Sequence, residues 1–428
     1  MNLAPEQAVD RREPLQGSRA PRVAIVGAGF GGMEAAKVLA RSAVEVVVID
    51  ERNHHCFQPL LYQVATAALS PADIAWPIRS MLRQQDNVRV MLARVIAVDQ
   101  TERIVRTDFG EVPYDYLVLA TGATHFYFGH DEWERFAPGL KHIEDARRIR
   151  RRILLAFERA ELAASEDERR RLMTFAIIGG GPTGVEMAGA IAEVARQTLR
   201  SDFRRIDPME SRIVLLEAGP RLLPAFPEHL ARYARSTLEQ MGVEVMTSAR
   251  VTGCDENGVQ LGNERIETCT SIWAAGVVAS PASSWVDAER DRNGRIKVLP
   301  NLSIAGAPDV FAIGDTALVL DQEEHPVPGI APAAKQMGRY VGRLIDARVR
   351  GQAEPPPFVY RHYGDLATIG RKAAVVKLGR ISLTGFVGWL FWSMAHIYFL
   401  IGVRNRFVVA FTWLWSYLTF QRGARLIT

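Results

Sequence analysis

Two sets of three glycines carry the clearest chemical signal in this sequence. Gly27, Gly29 and Gly32 stand in G-x-G-x-x-G spacing, and Gly179, Gly181 and Gly184 repeat it. In such a set the first glycine permits a tight turn, the second lets backbone N–H groups approach a pyrophosphate, and the third lets the next helix pack closely on the preceding strand. An acid closes each following apolar run: Asp50 after the first set and Glu217 after the second. A carboxylate there can accept hydrogen bonds from ribose hydroxyls. Glu217 would also repel a 2′-phosphate, which favours NADH over NADPH in the second site, although Arg221 nearby leaves NADPH open. Two complete sets are far more specific than one, and imply two bound dinucleotides.

Other reactive residue types give weaker patterns. His54 and His55 are adjacent, so they cannot share one face of a helix or strand. No carboxylate or cysteine pair stands at ligand spacing around them, and no metal is expected. Cys56, Cys254 and Cys269 are far apart and form no C-x-x-C pair. Cys56 is read as a small buried or half-buried residue rather than a redox thiol, and a reducing cytoplasm as the natural compartment.

The elements that must position the glycines are legible on either side of them. Val23 to Val26 and Phe175 to Ile178 are short apolar runs suited to strands buried on both faces of a parallel sheet. A helix follows each turn, from Gly31 through Ala40 and from Val185 to Gln197, with its positive N-terminal end toward the phosphates. Val44 to Ile49 and Arg212 to Leu216 are the next strands. Glu51 to Arg79 reads as a loop with short helices over the first nucleotide. Val88 to Arg106 and Glu111 to Ala120 read as short strands and hairpins, after which Thr121 and Gly122 form a small-residue turn where backbone can again come near a nucleotide. Leu140 to Ala164 is helical, with Ile149, Ile153, Ala156, Phe157 and Ala160 on one apolar stripe and the arginine run Arg147 to Arg152 on solvated faces. Segments around Val243, Gly258 and Thr270 continue a mixed domain, and Asn293-Gly294 marks a hairpin turn. Val310 to Asp315 is a further strand ending in Gly314 and Asp315.

With 428 residues, 48% of them hydrophobic and 23% charged, the chain has room for two or three domains with packed cores. Its first twenty residues lack a continuous apolar stretch, do not read as a signal peptide and are taken as a mobile tail. The net charge of +4 is modest, but no Asp or Glu follows Asp365, while eight basic residues do. A one-signed tail suits either nucleic acid or an anionic membrane. The apolar content decides for lipid and against nucleic acid. Gly385 to Val403 is apolar for 19 residues except Ser393 and His396, and Phe407 to Phe420 is apolar again after the basic link Arg404-Asn405-Arg406. A hairpin through the bilayer would carry Arg404 and Arg406 across, and a single span would carry Arg422 and Arg425 as well, both against the positive-inside tendency. The expectation is therefore helices embedded in one leaflet with those four arginines at the headgroups. Membrane spans and a soluble core or homodimer face are the other readings, and His396 is expected to be interfacial or packed.

Two glycine sets, an ATG turn between them and a GD motif after the second resemble the flavoprotein family with two dinucleotide-binding domains. That resemblance implies FAD in the first unit, NADH in the second, and Asp315 on the FAD ribitol. Within the family, FQPLLYQVATAALSP, GGGPTGVE and APAAKQMGRYVG resemble type II NADH:quinone oxidoreductase. The resemblance implies an α/β fold of two Rossmann-like domains in a glutathione-reductase-like arrangement plus a C-terminal apolar helical segment that associates with the membrane. The implied division is a tail over 1–20, an FAD domain over 21–170 and 301–365, an NADH domain over 171–300 between them, and a membrane-associating region over 366–428. The implied reaction passes hydride from NADH to flavin and two electrons on to a membrane quinone without proton pumping, at the cytoplasmic face of the cell membrane. Glu186 matches the family glutamate near nicotinamide and flavin, and Lys335 and Gln336 fall where the family meets the flavin ring and quinone. Pro332 departs from the glutamine common at that motif position. The alternatives are an NADH-binding redox sensor that signals through its tail, and a sulfide:quinone-type reductase, which would need cysteines on both sides of the flavin.

Overall fold

A computed structural model describes residues 19–419 and 423–427. The expected N-terminal tail lies almost wholly outside these residues, and so does Arg422. The first glycine set rises from a six-stranded sheet in the order Ser303–Ile304, Ala307–Ala312, Tyr116–Leu119, Arg22–Val26, Glu45–Asp50, Val88–Leu92. Val23 to Val26 are buried because the sheet is covered on both faces, as an uninterrupted apolar strand requires. Strand Ala307–Ala312 pairs in parallel with Tyr116–Leu119, so the chain returns to this sheet after building a second one. The second sheet, Val243–Met246, Arg212–Leu216, Thr174–Ile178, Thr270–Trp273, is parallel throughout and surrounds the second glycine set. In both sheets the strand before the glycines has neighbours on either side, which opens a crevice at its carboxyl end.

Helix Ala331–Val349 packs unusually close to helix Phe30–Leu39, and glycine makes the approach possible. A Cβ at Gly338 would fall 2.1 Å from the Gly31 carbonyl oxygen, and one at Gly342 2.8 Å from Val38 Cβ. The N-terminal turn of Ala331–Val349 is thereby held beside the first glycine turn. Pro332 sits in that first turn, where its missing N–H costs nothing and its fixed φ suits a helix start.

A third, antiparallel sheet of Asp365–Ile369, Ala373–Leu378 and Ile381–Thr384 docks on helix Pro182–Glu193. Gly189 permits the contact, since a Cβ there would lie 2.8 Å from the Gly370 nitrogen. Helices Gly385–Phe399 and Val403–Thr419 follow this sheet.

Several expectations need correction. The basic link Arg404-Asn405-Arg406 is not a linker; it forms the first turn of the second tail helix, and the break falls earlier, at Leu400 to Gly402, with Gly402 at φ +81°. Arg406 Nε donates to the Leu400 carbonyl, 2.8 Å away, which fixes that corner. Arg425 does not project toward headgroups: it pairs with Asp202 of the second unit. Among the described residues no helix is long and apolar enough to cross a membrane. In the arginine run, Arg147, Arg148 and Arg151 are solvated, but Arg150 is buried and Arg152 donates to the carbonyls of Phe136 and Arg135. The Asn293-Gly294 turn is present as expected, with Gly294 at φ +74°, and Ile296–Lys297 pairs in addition in parallel with Ala317–Leu318. An antiparallel bridge joins Arg290 and Ile296 across the turn, with the Asp291 N–H donating to the Arg295 carbonyl at 3.0 Å and the Lys297 N–H to the Glu289 carbonyl at 2.8 Å.

Candidate functional site

The two glycine turns are built alike, down to individual atoms. Asp50 accepts from the Ala28 N–H at 2.7 Å with one oxygen and from the Arg52 N–H at 2.7 Å with the other. Glu217 does the same with the N–H groups of Gly180 and Gly219, at 2.6 Å each. Each acid therefore ties its strand end to its glycine turn and keeps carboxylate lone pairs able to accept further hydrogen bonds. Burial raises the Asp50 pKa and the two backbone donors oppose the rise.

The glycines divide into those the fold requires and those it does not. Gly27 has φ +99° and its Cβ would strike the Ala120 carbonyl oxygen at 2.4 Å; a Cβ at Gly32 would meet the Gly27 oxygen at 1.9 Å. Gly179 and Gly184 repeat this, against Ala274 at 2.6 Å and the Gly179 oxygen at 1.8 Å. Gly29 and Gly181 differ. Their φ values of −70° and −72° suit any residue. A Cβ at Gly29 would meet nothing closer than 4.0 Å, and one at Gly181 nothing within 4 Å. Open space in front of a helix N-terminus, lined by backbone N–H groups, is a cradle for phosphate, and both turns fit a dinucleotide.

Thr121 and Gly122 are tied to the segment of Gly314 and Asp315 by Thr316, a residue that the sequence did not single out. Thr316, fully buried directly after the GD pair, accepts from the Gly122 N–H at 3.0 Å and lies 3.1 Å from the Thr121 hydroxyl. Ser280 donates to the Thr121 hydroxyl at 2.6 Å. The position after GD was the available signal for Thr316; nothing in the sequence marked Ser280. Gly314 and Asp315 line a cleft with Ala123, Gly329 and Ala333, and Lys141 Nζ lies 4.0 Å from the Asp315 carboxylate.

His55 lies beneath the first glycine turn, its Nδ1 donating to the Ala28 carbonyl oxygen at 2.7 Å. Burial lowers its pKa to about 4, so it is a neutral strut at physiological pH. No cluster of potential metal ligands occurs among the described residues. Cys56 is half-buried and free, and burial pushes its thiol up to about 12, which removes the thiolate a redox cysteine needs.

Glu186 is on the first turns of helix Pro182–Glu193 and is half-buried, with protein surrounding its carboxyl. Burial raises its pKa to about 8, opposed by the Thr368 N–H at 3.4 Å. Lys335 is also desolvated, with its pKa lowered chiefly by burial, so it is not a freely solvated surface lysine. Its Nζ lies 5.4 Å from the Phe30 ring centre and 5.2 Å from that of Phe399. Phe30 belongs to the first glycine turn and Phe399 ends the first tail helix. The Gln336 amide donates to the Arg361 carbonyl at 2.9 Å and accepts from the Arg361 N–H at 3.0 Å. Both ends are spent on backbone, which makes Gln336 a clamp on the segment leading to the third sheet. His396 is packed, stacked on Trp392 at 4.0 Å and held by the Trp392 carbonyl, with its pKa lowered by burial to about 4.

Residues 21–338 match the pyridine nucleotide-disulphide oxidoreductase family, and residues 362–422 match the NDH2 C-terminal domain. The chain belongs to the pyridine nucleotide-disulphide oxidoreductases, as the paired dinucleotide folds require. It is 42% identical to the type II NADH:quinone oxidoreductase Ndh of Mycobacterium tuberculosis, over 100% of this chain and 93% of that one. The type II NADH:quinone oxidoreductase of Staphylococcus haemolyticus is 30% identical over 85% of this chain and 91% of its own length. Within the larger family the chain is thus a member of the FAD-containing type II NADH:quinone oxidoreductases. The structure of NDH2 from Plasmodium falciparum in complex with NADH superposes with a TM-score of 0.86 at 21% identity, covering 96% of this chain and 100% of that one. The sulfide:quinone oxidoreductase of Aquifex aeolicus has a TM-score of 0.72 at 18% identity, covering 90% and 92%. These two likenesses are likenesses of fold.

Proposed function

We propose that this chain oxidises NADH and reduces a lipid-soluble quinone, NADH + H⁺ + quinone → NAD⁺ + quinol, while seated on one face of the membrane by its C-terminal helices. FAD, when bound, supplies the two-electron relay between the substrates. The chain's own residues divide the remaining work. The turn Gly27 to Gly32 with Asp50, Thr121, Gly122, Gly314 and Asp315 binds FAD, over residues 21–170 and 301–365. The turn Gly179 to Gly184 with Glu217 binds NADH, over 171–300. Glu186 holds the nicotinamide end or exchanges a proton there, its raised pKa suiting transfer near neutrality. Lys335 places positive charge at the mouth of the flavin cleft, and Gln336 positions the segment behind it.

The observation that carries this reading is the meeting of Phe30, Lys335 and Phe399. It sets the first dinucleotide turn directly against the helices that expose apolar surface. Phe386, Leu390 and Met394 recur along one tail helix, and Phe407, Phe411, Leu414 and Leu418 along the other, all exposed. A stripe of that length on a soluble surface marks an interaction face, and Arg404 beside it suits anionic headgroups.

The purified, detergent-handled protein is expected to carry yellow flavin absorbance and to oxidise NADH only when quinone is added. The double variant Phe407→Glu, Leu414→Glu is expected to keep flavin and to lose co-sedimentation with anionic vesicles by about tenfold or more, given the cost of placing two carboxylates in the interface. Quinone-independent turnover would refute the activity, and undiminished co-sedimentation would refute the membrane face.

Glu217 carries the preference for NADH. Glu217→Gln is expected to narrow the ratio of kcat/KM for NADH over NADPH by about tenfold, the scale of one hydrogen bond to a charged group. An unchanged ratio would assign discrimination elsewhere.

A further inference from the structure

A four-residue turn of the third sheet touches both the buried glutamate and the far end of the tail. At one end the Thr368 N–H meets Glu186 Oε1 at 3.4 Å. Thr368 is itself fixed: it is buried, and its hydroxyl donates to the carbonyls of Gly370 at 2.8 Å and Ala373 at 3.1 Å. Gly370 presses on helix Pro182–Glu193, where a Cβ would fall 2.7 Å from Glu193 Oε1, and that same oxygen accepts from the Arg371 N–H at 2.7 Å. At the other end, Arg371 Nη1 donates to the carbonyls of Ser416 at 2.8 Å and Tyr417 at 3.0 Å, and its guanidinium lies 5.7 Å from the Tyr417 ring centre.

Those carbonyls lie toward the C-terminal end of helix Val403–Thr419, where the helix dipole favours a cation. Arg371 therefore ties the turn to the helix that carries Phe407, Phe411, Leu414 and Leu418 on its exposed side. Settling of this helix into a lipid surface by that stripe would load the two Arg371 hydrogen bonds. The turn can transmit that change because its middle is bonded rigidly to the helix bearing Glu186.

We propose that Arg371 is a positioning residue which couples contact between the tail helix and a phospholipid surface to the placement of Glu186, so that a lipid surface accelerates the enzyme even when quinone is delivered from water. This rests on the role of Glu186 given above. The coupling runs through hydrogen bonds rather than through a change of nearby charge. Burial and the Thr368 N–H are the leading influences on the Glu186 carboxyl, while Glu193 on its own helix, Asp365, Arg371, Lys372 and Lys377 on the docked sheet, and Arg404 and Arg406 on the tail are the charged groups on the elements around it.

The test uses the full-length, FAD-loaded enzyme in low-detergent buffer with a short-chain, water-soluble quinone, with and without vesicles of phosphatidylcholine and phosphatidylglycerol. Vesicles are expected to raise wild-type kcat by about fivefold or more, the low end of ordinary coupling between sites. They are also expected to move the alkaline limb of its pH profile. Arg371→Ala is expected to bind vesicles and FAD as the wild type does, yet to show neither the stimulation nor the pH shift. Arg371→Lys, which can still donate to one carbonyl, should recover part of both. Wild type that ignores vesicles, or Arg371→Ala that responds in full, overturns the proposal. Should Arg371→Ala fail to retain FAD, hydrogen exchange in the wild type decides: amides 366–372 must change their exchange on vesicle addition, and unchanged exchange there overturns it. A normal rate in Glu186→Gln would instead discard the underlying role of Glu186, whatever Arg371 does.

Discussion

Gly32→Ala and Gly29→Ala are both expected to strip FAD from the protein, by different routes that a melting curve separates. At Gly32 the new Cβ would sit 1.9 Å from the Gly27 oxygen, so the strand, the turn and the helix must move apart. Overpacking of that kind costs about 1–3 kcal/mol or more, and the variant should melt lower even without cofactor. At Gly29 the backbone is ordinary and the nearest atom is 4.0 Å away, so the cofactor-free protein should melt close to the wild type. The methyl would then occupy the space a pyrophosphate needs, and FAD affinity should fall at least about tenfold, or ~1.4 kcal/mol. The measurements are flavin absorbance after desalting and thermal melting of cofactor-free protein. Gly29→Ala that retains FAD fully would show that the open space in front of the helix is not the phosphate cradle.

Glu186→Gln is expected to lower kcat by about a hundredfold while FAD stays bound, the low end of what a positioned acid or base contributes. With a pKa near 8 in the folded state, the wild-type carboxyl is protonated at neutral pH and ionises as pH rises through about 8. Wild-type kcat should therefore fall along an alkaline limb that Glu186→Gln lacks. The same shift affects stability. In the unfolded chain this glutamate ionises near 4.5, so between about 4.5 and 8 the native state binds more protons than the unfolded state, and its stability falls as pH rises. Glutamine carries no such penalty. The variant should match the wild type in melting temperature near pH 4 and exceed it increasingly up to about pH 8. A variant slower in turnover yet more stable at alkaline pH would locate a functional strain at this residue. Equal melting curves at all pH values would mean that Glu186 is solvated and its burial unimportant.

The contrast between Gln336 and Lys335 shows why residue type and position in a motif do not settle a role. Both stand in one helical turn, and both were expected at the flavin and quinone. Lys335 lies between two aromatic rings from distant segments, whereas Gln336 turns to the backbone of Arg361. Arg425 was expected at the lipid surface and instead finds Asp202, more than two hundred residues earlier in the chain. In each case the deciding partner is remote in sequence.

What the sequence determined by itself is local and repetitive. Short apolar runs, glycine spacing and a closing acid specify a strand, a turn and a helix within about thirty residues, since backbone sterics and hydrogen-bonding demands act over that distance. Both dinucleotide turns, the strand ends at Asp50 and Glu217, and the apolar tail were legible on those grounds. Tertiary structure alone decided what depends on packing between remote segments: the glycine-mediated contact of helices Phe30–Leu39 and Ala331–Val349, the burial that raises Glu186, the place of Thr316 between two turns, and the tie that Arg371 makes to the tail. Desolvation and hydrogen-bond partnership are properties of a site's whole surroundings, and those surroundings exist only once the sheets have been assembled.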